Sequence, residues 1–214
     1  IEKIKECLNT DEIVYFGDST VSIDVEASGF HKDSRDRKIK SKEFTDQNYS
    51  LVRAGIYLQD HSKHPGGLII RDKSHLVKSV HKGKIINVPS QMGDLVVWKL
   101  TTTHSANASY LKALPSLPFH PYLTKVIPKS LFEPPIRPRI AIFSTYGKKD
   151  HHLERYIEYL KTREYFADKI LHTSYTPDQI EAYRQLGVEV LEIDKEELKE
   201  SQEQGKLNKG FVQI

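Results

Sequence analysis

The chain has 214 residues, 38% of them hydrophobic, and its 32 Lys and Arg against 29 Asp and Glu give a formal net charge of +3. A chain of this length can bury a hydrophobic core without disulfides or a structural metal to stabilise it. Its single cysteine, Cys7, excludes a disulfide scaffold or thiolate zinc cluster and favours a reducing, cytoplasmic location. Its apolar runs are far shorter than the ~20 residues of a membrane span, and the small charge gives no indication of nucleic-acid binding.

The first two thirds of the chain predict β-strands. Apolar and polar residues alternate at 21–26 and at 52–59, with the period of two that half-buried strands show. Further candidate strands are 68–71, 84–88, 94–104 and 139–146, with turn signals between them. No helical pattern in this part is long enough for a parallel crossover, which predicts an antiparallel, mainly β sandwich or barrel.

The pattern changes near residue 150. Apolar residues follow helical spacing through 152–166, a capping box with proline at the first helical position opens a second helix at Thr176, and Asp194 caps a third. Residues 187–193 form a candidate strand between the last two helices. We therefore expect residues 1–149 to form the β core and residues 150–214 to form a C-terminal helical extension packed on it.

A proline-rich loop occupies residues 110–138 of the predicted core. Seven of the ten prolines lie between Pro115 and Pro138. Loops of this length inside a domain are often lids or binding loops, and a surface excursion without function is the alternative. The sequence leaves both interpretations open.

One short motif has the spacing of metal ligands. In extended backbone, the side chains of His31 and Asp33 in His31-Lys32-Asp33 project to one side, where both can reach one metal ion. The triplet alone has little specificity, because a surface histidine beside a solvated aspartate gives the same pattern. The run 94–104 adds His104 on the face of Trp98, and two histidines with one carboxylate match the facial triad of non-haem Fe(II) oxygenases.

These residues resemble the phytanoyl-CoA dioxygenase-like Fe(II)/2-oxoglutarate-dependent oxygenases. The match covers residues 12–147 and has four elements in the family's order: a strand leading into HKD, VRAGIYLQDHSKHPGGLIIRDKSH, GDLVVW continuing to HSAN, and PRIAIFSTYG. The resemblance implies a double-stranded β-helix, or jelly-roll, with Fe(II) and 2-oxoglutarate as cofactors. It makes His31, Asp33 and His104 the iron ligands and the catalytic centre.

The resemblance also implies an arginine that binds the distal carboxylate of 2-oxoglutarate. Arg139, at the start of PRIAIF, takes this role, and its planar guanidinium suits a carboxylate held in a barrel. Relatives typically place this arginine much closer to the distal histidine, whereas here 139 − 104 = 35 residues separate the two. Arg137, on the same face of the strand, therefore remains an alternative. The helical segment that commonly precedes the first strands is nearly absent, which is consistent with a truncated N-terminus.

Four more residues are candidates for the same site. Arg53 and Tyr57 share one face of a strand and, with Trp98, are candidates for contacting the co-substrate or substrate. Outward-facing positions for Arg53 and Tyr57 are the alternative. Asn107 follows the distal histidine as in the family and would orient the site, with a simple turn-forming role as its alternative.

The activity implied by the resemblance is oxidative decarboxylation of 2-oxoglutarate to succinate and carbon dioxide, coupled through dioxygen to hydroxylation of a C–H bond. Related halogenases replace the carboxylate ligand with a small residue, so an intact Asp33 favours hydroxylation. Residues 32–42 contain six basic residues against two acids, which predicts a positive field that favours a small anionic substrate. A solvated mobile loop is the alternative reading of that segment.

Two other classes of function remain open. One is a non-catalytic β-barrel binding module of the same shape. The other is a cupin-like isomerase or dioxygenase that needs no 2-oxoglutarate, in which neither Arg137 nor Arg139 would matter. The sequence predicts neither a nucleic-acid nor a membrane partner for any of them.

Overall fold

The computed structural model describes residues 1–24, 29–33, 42–62, 64–106, 108–115 and 117–208. Within these ranges, the α-helices are α1 Glu2–Leu8, α2 His151–Lys161, α3 Glu164–His172, α4 Pro177–Gln185 and α5 Lys195–Glu203. The strands are β1 Ile13–Ile23, β2 Leu51–Tyr57, β3 Ile69–Arg71, β4 Ile85–Asn87, β5 Leu95–Lys99, β6 His104–Ser105, β7 Ile140–Gly147 and β8 Val188–Val190. None of the helices in the described ranges has the length and apolar character needed to cross a membrane.

The strands form two sheets. The larger sheet has the order β5-β2-β7-β1-β8, and the smaller has the order β4-β3-β6 with both pairs antiparallel. The antiparallel prediction concerned the first two thirds of the chain, and β8, which lies beyond them, pairs parallel with β1 from Ile13↔Val188 to Tyr15↔Val190. No helical pattern before residue 150 is long enough for a parallel crossover, but β8 follows the helices of the C-terminal third. The larger sheet is therefore mixed, and the double-stranded β-helix stays a prediction.

The chain divides into two compact units. Unit 1 contains Ile1–Ser19, Ser50–Val52 and Ser144–Ile214, and unit 2 contains Thr20–Tyr49 and Arg53–Phe143. Unit 1 therefore holds all five α-helices of the described residues together with β8. Unit 2 holds β3 to β6 and the three ligands predicted from the sequence, His31, Asp33 and His104. The division predicted at residue 149, with an extension packed on a core, stays a prediction.

The helix signals of the C-terminal third are confirmed at two starts. Thr176 and Gln179 form the capping box of α4, and the Asp194 side chain accepts from two backbone N–H groups at the start of α5. The predicted helix 152–166 is instead interrupted between α2 and α3, where Arg163 is extended. There Asn208 donates to the Thr162 carbonyl and accepts from the Glu164 N–H, so long-range hydrogen bonds replace helical ones.

Two predicted strands differ from the observed ones. Val21 and Ile23 are 61% and 59% exposed, so their alternation does not mark a buried face. The buried part of β1 begins earlier, at Ile13. The run 94–104 is not one strand, because β5 ends at Lys99 and a turn precedes β6, which lies in the other sheet.

The core of unit 2 positions the site. One cluster contains Tyr57, Leu68, Trp98 and Ala141, and a second contains Phe30, Ile69, Ala108 and Tyr110. The proline-rich loop holds two one-turn 3-10 helices, Pro121–Lys125 and Lys129–Leu131. Several of its apolar side chains are exposed, including Leu117, Tyr122 and Val126.

Candidate metal centre

Unit 2 brings the three predicted ligands together. The Nε2 atoms of His104 and His31 lie 3.5 and 4.0 Å from Oδ1 of Asp33. The two imidazole rings are 4.4 Å apart between centroids, and one ligand atom from each residue lies within 4.8 Å of the others. Two nitrogens and one oxygen therefore converge on one point.

Backbone pairing holds the ligand segments side by side. The His31 N–H donates to the His104 carbonyl at 3.0 Å, and the His104 N–H donates back to the His31 carbonyl at 2.9 Å. The Asp33 N–H donates to the Leu100 carbonyl at 3.2 Å. Although a turn separates β5 from β6, the Trp98 ring still lies 5.4 Å from the His104 ring. Trp98 and His104 therefore lie close together because of the turn and the backbone pairing of His31 with His104, and not because they share one continuous strand.

The second nitrogen of each imidazole has a backbone partner. Nδ1 of His31 lies 3.0 Å from the Gly29 carbonyl oxygen, and Nδ1 of His104 lies 3.0 Å from the Thr102 carbonyl oxygen. A carbonyl oxygen only accepts, so each Nδ1 carries a hydrogen, and the lone pair of a neutral ring is then on Nε2. This is the arrangement that orients metal-binding histidines in proteins.

The charges of the site favour metal binding. Burial raises the pKa of Asp33, but Arg53, His104 and His31 together outweigh it and hold that pKa below its usual range. Burial lowers the pKa of His104 to about 4, against the opposing effect of Asp33. Around neutral pH, Asp33 is therefore a carboxylate and His104 a neutral imidazole, the forms that bind metal ions.

The donor set fits a divalent first-row metal. Two imidazole nitrogens and one carboxylate oxygen suit Fe(II) and leave coordination positions open for small molecules. Two ligand atoms that each bind a metal at about 2.1 Å, at right angles to one another, lie about 3 Å apart. The two Nε2 atoms, now 3.5 and 4.0 Å from Asp33 Oδ1, need to move only slightly closer to it. Arg53 Nε lies 3.4 Å from Oδ2 of Asp33, on the other side of the carboxylate.

A second group of buried polar atoms surrounds Arg139. This residue is 4% exposed, its Nε donates to the Gly66 carbonyl, and its guanidinium carbon lies 5.6 Å from the centre of the Tyr57 ring. Among the described residues, Arg139 Nη2 and the Tyr57 hydroxyl are buried without a hydrogen-bond partner. Buried donors are rarely left unpaired, so this place suits a carboxylate ligand.

The pKa of Tyr57 links this group to the metal ligands. Burial raises that pKa to about 12; Asp33 raises it as well, whereas Arg139 lowers it. The Tyr57 hydroxyl therefore lies within electrostatic reach of both the carboxylate ligand and the buried arginine. This arrangement suits a dicarboxylate with one carboxylate near the metal ligands and the other beside Arg139.

Aromatic side chains form the apolar wall of the site. The rings of Trp98 and Phe143 are 6.1 Å apart. A Cβ at Gly55 would lie 3.0 Å from the Phe143 ring and 3.1 Å from the Trp98 ring. Glycine at this position therefore lets both rings approach the β2 backbone.

Not every candidate residue joins these groups. The Arg137 side chain is 61% exposed, and its Nη1 lies 3.0 Å from Oδ1 of Asp24. Asn107 lies outside the described residues, as do residues 34–41 of the basic segment.

Sequence reasoning missed His61, which is fully buried with its ring 5.5 Å from that of Tyr57. Burial and the Arg139 charge lower the His61 pKa, although the backbone of Pro65 and His64 raises it. No pattern in the sequence distinguishes it from the other histidines.

Comparisons with known proteins give a distant likeness. No protein-family model matches the chain, and no curated protein matches it. AviO1 from Streptomyces viridochromogenes Tue57 matches 69% of this chain with 56% of its own at 15% identity and a TM-score of 0.44. The nickel complex of the non-heme monooxygenase ThoJ matches 69% with 49% of its own, at 13% identity and a TM-score of 0.42.

EctD from S. alaskensis, solved with 2-oxoglutarate and 5-hydroxyectoine, matches 67% of this chain with 47% of its own at 16% identity and a TM-score of 0.40. The chain thus spans about half the length of the solved structures it matches. At these values the functional argument rests on the geometry of the site itself.

Proposed function

We propose that the chain is an Fe(II)- and 2-oxoglutarate-dependent oxygenase that hydroxylates a C–H bond of a small anionic organic substrate. The observation that carries the proposal is the convergence of His31 Nε2, His104 Nε2 and Asp33 Oδ1, with both Nδ1 atoms occupied by backbone carbonyls. A surface histidine beside a solvated aspartate would show neither the third ligand nor the fixed tautomers.

Each residue group has a defined task in this function. His31, Asp33 and His104 hold the metal from one side and leave the other side for co-substrate and dioxygen. Bound Fe(II) and 2-oxoglutarate supply the oxidising chemistry, which ends in succinate, carbon dioxide and hydroxylated product. Trp98 and Phe143 exclude water from the reacting centre, which protects it from side reactions.

Arg139 supports 2-oxoglutarate as the co-substrate. An interior guanidinium with an unpaired Nη2 costs several kcal/mol unless an anion pairs with it. The distal carboxylate of 2-oxoglutarate supplies that anion, and the buried Tyr57 hydroxyl supplies a further donor. A binding module or an oxygenase without 2-oxoglutarate has no use for this pair.

The anionic substrate is proposed from charge. Five basic residues, from Arg35 to Lys42, follow the metal motif in the sequence against one acid, and a positive field near the site would raise the local concentration of anions. Carboxylates and phosphates are the chemical classes to test first. Enhanced succinate formation with either class, over a neutral compound of the same size, supports this part of the proposal.

An anaerobic titration tests the function. The metal-free protein receives Fe(II) and then 2-oxoglutarate, and we expect a weak visible charge-transfer band only after the second addition. Asp33→Ala should lose the band, whereas Asp72→Ala, which changes an exposed aspartate of the same unit, should keep it. Metal binding without the band would favour an oxygenase or binding module that uses no 2-oxoglutarate, and no metal binding would contradict the assignment altogether.

A further inference from the structure

Lys32 is a buried cation between the two metal ligands of the HKD motif. The residue is 3% exposed, and its Nζ lies over the Phe44 ring, 6.0 Å from the centroid. Nζ donates to the Ser74 carbonyl at 2.7 Å and to the Thr101 carbonyl. Within the described part of the chain, these two carbonyl oxygens rather than a carboxylate are its hydrogen-bond partners.

Such an arrangement is costly for the fold alone. A buried ammonium loses its hydration, and without a carboxylate partner it recovers that loss only through hydrogen bonds. A methionine would fill nearly the same volume without desolvating a charge. The position of this ammonium therefore calls for an explanation other than core packing.

The two carbonyls belong to a network that leads to the third ligand. Ser74 Oγ donates to the Arg71 carbonyl at 2.6 Å and accepts from the Thr103 N–H at 2.8 Å. The Arg71 N–H donates to the Thr103 carbonyl at 2.9 Å. Ser74 is thus hydrogen-bonded to Thr103, the residue that precedes His104. Lys32 is hydrogen-bonded both to Ser74 and to the turn that leads to His104.

Alternation along the motif places Lys32 on the face opposite His31 and Asp33. The backbone pairs of His31 with His104 and of Asp33 with Leu100 fix the ligand face of the segment. The Lys32 ammonium adds a third attachment, from the opposite face, to the turn between Lys99 and His104. The three together restrict both translation and rotation of one ligand segment against the other.

We infer that Lys32 is a positioning residue that sets the spacing of His31 and Asp33 relative to His104 and so preorganises the metal site. The inference rests on the metal site of the proposed function but not on its use of 2-oxoglutarate. It predicts that loss of the ammonium changes metal affinity and coordination geometry while His31, Asp33 and His104 all remain present.

Cobalt(II) is the probe, because its visible spectrum reports coordination geometry and its titration reports affinity without turnover. Lys32→Met removes the ammonium and keeps the stem. We expect the Co(II) dissociation constant to rise about 10- to 100-fold, as when other outer partners of metal ligands are removed, with an altered spectrum. Lys32→Arg, which retains a cation, should recover part of both.

Lys99→Met is the matched control. Lys99 is a partly buried lysine of the same unit that also donates to a backbone carbonyl, that of Gln47 at 2.7 Å. Its carbonyl accepts from the Thr102 N–H, a main-chain bond that the replacement keeps, and its ammonium makes no hydrogen bond to Ser74 or to residues 100–104 among the described contacts. Its replacement should leave Co(II) affinity and spectrum unchanged, and an effect equal to that of Lys32→Met would overturn the inference.

Circular dichroism shows whether each variant is folded. A folded Lys32→Met protein with wild-type affinity and spectrum overturns the inference. If that variant does not fold, Ser74→Ala decides, because it keeps Lys32 but cuts the link to Thr103: weaker binding with an altered spectrum supports the inference, and unchanged binding overturns it. If the wild-type protein binds no Co(II), the metal site itself is contradicted, and the inference with it. If it binds Co(II) but not 2-oxoglutarate, only the proposed co-substrate is contradicted.

Discussion

Arg139 and Arg137 are two residues apart, yet they have opposite surroundings. Arg139 is 4% exposed beside Tyr57, whereas 61% of the Arg137 side chain is exposed and its guanidinium pairs with Asp24. Spacing from the distal histidine could not separate the two as partners of a carboxylate. Burial does, because only Arg139 has a donor that an interior ligand would satisfy.

Replacing Arg139 by alanine should therefore weaken 2-oxoglutarate binding much more than replacing Arg137. Losing a buried charge partner costs on the order of 2 to 4 kcal/mol, and losing a solvent-exposed one costs under about 1 kcal/mol. Calorimetric titration of the Co(II)-loaded variants with 2-oxoglutarate measures both. The reverse order would assign the role to Arg137, and equal, negligible effects would exclude a 2-oxoglutarate enzyme.

Replacing Asp33 by alanine should abolish metal binding and succinate formation and leave the fold intact. Asp33 is a ligand atom donor rather than a core packing residue, and its removal also leaves Arg53 without its nearby carboxylate. Equilibrium dialysis with Co(II) measures metal binding, and near-ultraviolet circular dichroism measures whether the fold is intact. Unaltered succinate formation in Asp33→Ala would refute the ligand assignment.

Replacing Gly66 by alanine should weaken 2-oxoglutarate binding. Gly66 has a φ of +111°, and an added Cβ would lie 3.0 Å from His61, which must shift slightly, and at ordinary contact distance, 3.5 Å, from Arg139. Because the Gly66 carbonyl accepts from Arg139 Nε, strain at Gly66 should displace the guanidinium. Gly93→Ala is the control, because Gly93 has a φ of +88° but no atom within 4 Å of an added Cβ. Both variants carry backbone strain of order 1 kcal/mol, and only Gly66→Ala should change co-substrate affinity.

The metal-free protein should lose stability in mild acid through His104. Its folded pKa, about 4 because of burial, lies below the ordinary value near 6.5, so between these values the folded state binds fewer protons than the unfolded state. The contribution to stability is present above pH 6.5 and is lost as the pH falls towards 4. Between pH 7 and pH 5 it falls by about 2 kcal/mol.

Urea unfolding of wild-type and His104→Gln protein at these two pH values isolates this contribution. The variant lacks the imidazole, so its stability should change less with pH than that of the wild type. An identical pH dependence in the two proteins would show that His104 titrates normally and is not buried as described.

The sequence predicted that the three ligand candidates lie together, and it predicted the strands around them less well. The proximity of His31, Asp33 and His104 could be predicted because local spacing and residue chemistry are typical of a metal site. The continuous strand that was expected to carry His104 does not exist. The turn after Lys99 depends on contacts with Ser74, which lies 29 residues from Thr103 in the chain.

The remaining differences share one cause, namely contacts between distant residues. β8 pairs with β1 across most of the chain, and Asn208 interrupts a helix that the local pattern predicts as continuous. His61 and Lys32 carry no motif of their own, and only burial beside Arg139 and Ser74 distinguishes them from surface residues. Pairing and burial of this kind have no local periodicity to reveal them.

The carbonyls that hold the two imidazoles both come from the residue two positions before the histidine, Gly29 for His31 and Thr102 for His104. Each ring therefore takes its tautomer from its own stretch of main chain, without a carboxylate or amide side chain as intermediary. Because every amino acid offers the same carbonyl, positions 29 and 102 can change identity during evolution while the ligand nitrogens keep their direction. Proteins that share this device would keep the geometry of the three ligand side chains and need no common residue at either position.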